Sequence, residues 1–201
     1  MLRRVLITAV TAGCAGPLPE PVGTARGCVV LLRGLANIFS TGMSRLAERL
    51  GGAGYRVELS NHLEWGNVAR RLTSAARDGS LPRPMAVIGH SLGADDAIRL
   101  AGEMGEAGVA LDLLVTFDPV WVREVPRGPR RVVNFYLAEG LWGHALEAVP
   151  GFAGQLENVA VDALGLTHFD IEKDAALHTR VLATLARASE LPPSVNGAGR
   201  S

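Results

Sequence analysis

The sequence predicts an α/β fold, a mostly parallel sheet of about six strands with helices on both faces. Three observations lead there. Short continuous apolar runs at residues 28–32 and 85–88, and a strand-length stretch at 111–117, alternate with stretches of helical period, as in strands covered on both faces and joined by crossover helices. The stretch Gly89-His90-Ser91-Leu92-Gly93 joins one such run directly to a helix-like segment, the order strand, tight turn, helix. A chain of 201 residues with 48% hydrophobic and 20% charged residues suits a single globular domain, which at this size buries about 70% of its unfolded surface.

Charge narrows the function classes. Twenty basic residues balance twenty acidic ones, so nothing favours a nucleic-acid partner held by net charge. Lys173 is the only lysine, a bias that reads as coding preference. The sequence contains no H-E-x-x-H, no glycine-rich dinucleotide fingerprint, no P-loop and no metal-like cysteine spacing. No metal or organic cofactor is expected.

Taken in chain order, the first residues carry a separate message. Met1-Leu2-Arg3-Arg4 is positive, residues 5–10 are apolar, and Thr11-Ala12-Gly13 leads with small residues into Cys14. This resembles a bacterial lipoprotein signal, in which Cys14 becomes the lipidated N-terminus and anchors the protein to the cell envelope. The run is too short to span a bilayer. The alternative is a first β-strand in a cytoplasmic protein. Under the lipoprotein reading residues 1–13 are a signal peptide, 14–26 a Pro/Gly-rich tether, 27–188 the folded domain and 189–201 a disordered tail. Cys28 is then a lone buried thiol.

Within the domain, residues 28–32 form the first strand. Met43, Leu46, Ala47 and Leu50 recur at helical spacing over 40–52, and Gly51-Gly52 stops that helix. A strand over 55–59 and a helix over 65–78, stopped by Gly79, precede the run ending in Gly-x-Ser-x-Gly. A helix to about Glu106 follows it. Strands over 111–117, 131–137 and 157–162 come next, and a helix over 172–188 closes the domain.

Gly-x-Ser-x-Gly between a strand and a helix is the nucleophile-elbow pattern. The turn exposes the Ser91 hydroxyl and places it beside the positive end of a helix, where an oxyanion gains stabilisation. Gly89 and Gly93 flank Ser91 because the crowding of strand on helix excludes a β-carbon and glycine tolerates unusual backbone angles. Centred on this motif, the order of elements over residues 27–188 resembles the α/β-hydrolase fold, in a minimal version that lacks the usual N-terminal antiparallel pair. The resemblance is to compact bacterial lipases, esterases and thioesterase-like lipoproteins.

The resemblance implies a chain order of serine, acid, histidine. Five histidines compete. His62 precedes the elbow, His90 lies inside it and is expected to point away from the hydroxyl, His144 sits in an irregular stretch, and His178 is expected on a partly exposed helix face. His168 follows the last strand, where the family carries its general base. For the acid, Asp118 ends a buried strand, where α/β sheets place ligand groups. Glu139 is the alternative one strand later, with Asp162 and Asp170 behind it. Asp95 and Asp96 complement the elbow helix dipole, and Asp95 also has the option of facing the pocket. The family's oxyanion hole implies the N–H groups of Leu92 and Leu35, with Ala36 the neighbouring candidate and Asn37 a possible side-chain donor. Arg33-Gly34 stands where the family usually has His-Gly. Trp65, Trp121 and Trp142 are candidates to line an acyl pocket or to cap a core.

What the resemblance implies is a serine hydrolase acting on a small-molecule or lipid-like carboxylic ester or thioester. An acyltransferase using the same groups and a membrane-anchored binding protein without turnover are the alternatives.

Overall fold

A computed structural model of the chain describes residues 25–35 and 41–188. The elements run β1 (Cys28–Arg33), α1 (Thr41–Gly52), β2 (Arg56–Asn61), α2 (Trp65–Arg77), β3 (Met85–His90), α3 (Leu92–Glu106), β4 (Leu113–Phe117), β5 (Glu124–Val125), β6 (Arg131–Tyr136), β7 (Glu147–Ala148), β8 (Gln155–Ala160) and α4 (Ala175–Ala188). Six strands form one sheet in the order β2-β1-β3-β4-β6-β8, every pair parallel. No antiparallel pair occurs among the described residues. A minute parallel sheet of β5 with β7 stands apart.

The strand sequences explain their places. β1, β3 and β4 are apolar without alternation and buried almost throughout, as central strands must be when helices cover both faces. β2 and β8 carry polar residues with partial exposure and form the edges. Alternate side chains sort cleanly. Cys28, Val30 and Leu32 pack with Val68 and Leu72 of α2 and with Ile98 and Leu100 of α3. Val29 and Leu31 pack with Met43 and Leu46 of α1 and with Leu177 and Val181 of α4. The fold is therefore doubly wound, two helices on each face. Cys28 is buried and free, and burial pushes its thiol up to about 11, which makes it inert packing.

Most boundaries differ from the sequence expectation by one to three residues, and for two of them the structure shows the cause. The last strand occupies 155–160 rather than 157–162, because Asp162 opens a short 3₁₀ turn, Asp162–Leu164. The closing helix starts at Ala175 rather than residue 172, preceded by another 3₁₀ turn, Ile171–Lys173. Asp174 caps it by accepting from the Leu177 N–H at 2.8 Å. Glu172 is fully buried in the 3₁₀ turn, and its carboxylate accepts from the Gly42 and Met43 N–H groups at the start of α1.

The strand order positions the site. From β1 the chain steps outward to β2, then crosses back to β3 and proceeds outward on the other side. The crevice between the carboxyl ends of β1 and β3 is the topological switch point, where open α/β sheets hold their ligands. Gly34 leaves β1 and Ser91 leaves β3 at that point. Among the described residues no helix is long and apolar enough to cross a membrane. Cys14, the signal and tether, Ala36, Asn37 and the C-terminal tail lie outside the described residues.

Candidate active site

Ser91 sits between β3 and α3 with φ 58° and ψ −128°, a strained backbone for a residue with a side chain. The neighbouring glycines show what imposes it. A β-carbon on Gly89 would lie 2.1 Å from the Gly93 carbonyl oxygen, and one on Gly93 would lie 2.3 Å from that of Leu32. Both glycines are required by close approach of backbones. Their own φ values are not positive, so the conformational freedom expected of them is not used, and the strain falls on the serine. The Ser91 N–H is fixed to the Phe117 carbonyl at 3.0 Å.

His168 lies in the turn between the two last 3₁₀ segments, with Nε2 2.9 Å from Ser91 Oγ and Nδ1 2.6 Å from Asp118 Oδ2. Asp118 follows β4, is 1% exposed, and its other oxygen accepts from the Leu137 N–H at 2.9 Å. The three residues thus form one hydrogen-bonded series, with the nucleophile end open to a cleft and the acid end sealed. Asp118 also has a positive φ of 52°, and its N–H is held by the Phe135 carbonyl at 2.8 Å.

Glu139, the alternative acid, takes no part. It is exposed, and its backbone N–H and that of Ala138 donate to Asp162, while the bond to His168 Nδ1 is taken by Asp118. Asp170 accepts from Thr167 Oγ1 at 2.5 Å, a local bond in the same turn. His62 pairs with Asp96 at 2.8 Å. His178, expected on a partly exposed face, is 2% exposed, and its Nε2 lies 2.7 Å from the Glu172 carbonyl.

His90 departs from expectation. Its ring lines the cleft, 5.1 Å from the His168 ring, and its Nε2 lies 2.8 Å from the His168 carbonyl oxygen. Nδ1 is buried without a partner. The neighbours assign the neutral tautomer with the proton on Nε2, donated to that carbonyl. Burial pushes the imidazole down to about 4. The residue beside the serine therefore holds the backbone of the loop that carries His168.

The cleft measures about 300 Å³ and is lined by Gly34, Leu35, Leu92, Trp121, Trp142 and Phe169 around Ser91. Trp142 leans on the His168 ring at 4.6 Å. Trp65 is not part of it and packs against the core beneath α2. Leu92 is the first residue of α3, directly after Ser91, so its N–H lacks a partner within the helix. Leu35 is 75% exposed at the cleft mouth. A β-carbon on Gly34 would lie 3.1 Å from Ser91 Cβ, so the β1 loop passes directly over the nucleophile. The Arg33 guanidinium donates to Ser44 Oγ at 2.8 Å.

Two further groups hold the loops that carry Trp121 and Trp142, through contacts that the sequence does not mark. Asp95 is fully buried and accepts from three successive backbone N–H groups of residues 120–122, and His144 contacts the carbonyls of Val122 and Trp142. The only signal for Asp95 was its place in the first turn of the elbow helix.

No protein-family profile matches the sequence, and no curated protein sequence matches it. Solved structures do. The chain is similar to YbtT, a type II thioesterase from the yersiniabactin NRPS/PKS biosynthetic pathway, at 12% identity and a TM-score of 0.50 over 86% of this chain and 98% of that one. It is also similar to the RedJ thioesterase of the prodiginine pathway in Streptomyces coelicolor, with 15% identity, TM-score 0.45, and 87% and 92% of the two chains covered. A protein of the alpha/beta hydrolase superfamily from Xanthomonas campestris pv. campestris gives 17% identity, TM-score 0.41, and 82% and 97% coverage. At such identities the likeness is one of fold: the parallel six-stranded sheet with helices on both faces is an α/β-hydrolase fold.

Proposed function

We propose that this α/β-hydrolase-fold chain is a serine hydrolase that cleaves a carboxylic ester or thioester through an acyl-enzyme on Ser91. The observation that carries the reading is the unbroken series Ser91 Oγ, His168, Asp118 at the base of an apolar cleft. Thioesters stand beside oxyesters because YbtT is named as a type II thioesterase.

In this mechanism His168 Nε2 takes the proton from Ser91 Oγ as the oxygen attacks the acyl carbon. Asp118 accepts from the Nδ1–H, which keeps Nε2 free as the base and stabilises the imidazolium that forms. The oxyanion meets the Leu92 N–H, with Leu35 as the second donor from the loop over Ser91. Collapse of the tetrahedral adduct expels the alcohol or thiol, which receives the proton from His168. Water, deprotonated by the same imidazole, then attacks the acyl-enzyme and releases the acid. No step calls for a cofactor.

The test is direct. Purified protein should hydrolyse p-nitrophenyl esters and react with a fluorophosphonate, and Ser91→Ala should remove both. Turnover retained in that variant would refute the assignment, and a wild-type protein that never labels would instead favour the non-catalytic binding reading. Product analysis with an added acceptor alcohol separates hydrolysis from acyl transfer. From the sequence alone we further propose a lipid anchor on Cys14. Cys14→Ala should free the protein from the membrane fraction.

A further inference from the structure

The cleft beside Ser91 has two tryptophan walls on separate loops, and both loops are tied down by buried polar side chains outside the Ser91, His168, Asp118 series. Trp121 follows Asp118 in the stretch after β4. The Asp95 carboxylate accepts the N–H groups of Val120 at 3.1 Å, Trp121 at 3.0 Å and Val122 at 3.0 Å. A carboxylate with this many charge-assisted bonds fixes its loop to the elbow helix itself. Trp142 lies in the stretch after β6, two residues before His144. The His144 ring has Nδ1 2.9 Å from the Trp142 carbonyl oxygen and Nε2 3.1 Å from that of Val122. Its own carbonyl accepts from Asn134 Nδ2 at 2.9 Å, which seats it on β6. The ring thus lies between the carbonyls of the two loops that carry the walls and donates to the one its N–H faces.

We infer that His144 and Asp95 are positioning residues that fix the gap between Trp121 and Trp142 and so set the acyl-chain preference of the site. The inference rests on the hydrolase reading. Neither residue touches the reacting atoms. The cleft, about 300 Å³ and mostly apolar in its lining, has room for an alkyl chain that buries apolar surface against the tryptophans, whereas an acetyl group leaves the walls unused. A fixed gap rewards the longer chain because the walls need not be ordered on binding.

The experiment compares p-nitrophenyl octanoate with p-nitrophenyl acetate in wild type, His144→Ala, His144→Asn and His144→Gln. Asn places its amide nitrogen near Nδ1 and retains the bond to Trp142, while Gln places its own near Nε2 and retains the bond to Val122. The octanoate-to-acetate ratio of kcat/KM should fall about tenfold in His144→Ala, the effect of losing about one methylene's worth of pocket contact, mostly through the KM for octanoate. The two amides should fall between. A ratio unchanged in His144→Ala, or a loss shared equally by both esters, overturns the inference. Should His144→Ala fail to fold, the ratio in the amide pair decides in the same way. Should wild type hydrolyse neither ester, the hydrolase reading fails separately. Titration with octanoate followed by tryptophan fluorescence then decides: weaker binding in the variants supports the frame, and equal binding overturns it.

Discussion

Gly143 has no side chain because the Asp118 carboxylate occupies the space. A β-carbon there would lie 1.7 Å from Asp118 Oδ1. Gly143→Ala should therefore displace the acid from its hydrogen bonds to His168 and Leu137 without touching Ser91. We expect kcat to fall on the order of a hundredfold, as for a misplacement of about 1 Å in a catalytic group, with the thermal midpoint lowered only modestly. Steady-state kinetics on a short ester checks this, and an unchanged kcat would show that the acid tolerates the shift. Ser91, His168 and Asp118 were legible in the sequence because a spaced motif or a strand end marks each one. Gly143, His90 and Asp95 were not. Their roles depend on which backbone a distant segment brings near, and the His90 ring meets a carbonyl 78 residues away.

Among the elements, α1 shows how the two halves of the site are joined. Its first N–H groups at Gly42 and Met43 are satisfied by Glu172, four residues beyond His168. Gly42 is pressed so close to the Glu172 backbone that a β-carbon would meet its carbonyl oxygen at 2.1 Å. The helix α1 is thus capped by the loop that carries His168. Glu172→Ala should strand two buried donors and cost about 2 to 3 kcal/mol, read as a lower urea midpoint at unchanged m-value. A loss confined to a few tenths would mean that water replaces the carboxylate. This junction also explains why the closing helix starts later than its apolar periodicity suggests, since Glu172 is spent on α1. The periodicity located every long helix and each strand of the main sheet to within a few residues. β5 and β7, two residues each, are too short to leave a pattern.

For the whole molecule, burial of titratable groups sets how stability responds to acid. Burial holds His90 near 4 against 6.5 in the unfolded chain, and burial likewise lowers His178. The unfolded chain therefore binds more protons across that interval. Their contribution is present above pH 6.5 and lost as the pH falls through about 4, roughly 3 kcal/mol for His90 alone. Glu172 acts in the opposite sense, because burial raises it. Its contribution is present below its ordinary carboxylate range and lost as the pH rises through its folded value. Urea unfolding at pH 7, 5.5 and 4.5 should show wild type losing stability on acidification more steeply than His90→Gln. Parallel curves would rule out His90 as the source. Burial of Cys28 at about 11 predicts that the native protein resists iodoacetamide at Cys28 and that the urea-unfolded chain reacts, as mass spectrometry of labelled peptides would report.

On the proposed hydrolase reading, the parallel topology decides when activity can begin. Ser91 and the imidazole it bonds are 77 residues apart, and the base follows β8, which joins the sheet only at its far edge. A chain still emerging from the ribosome with Ser91 exposed carries an unactivated alcohol until β4, β6 and β8 have paired in turn. Fluorophosphonate reactivity is then a reporter of complete sheet assembly, and the rate at which it appears during refolding should match the slowest non-local strand pairing.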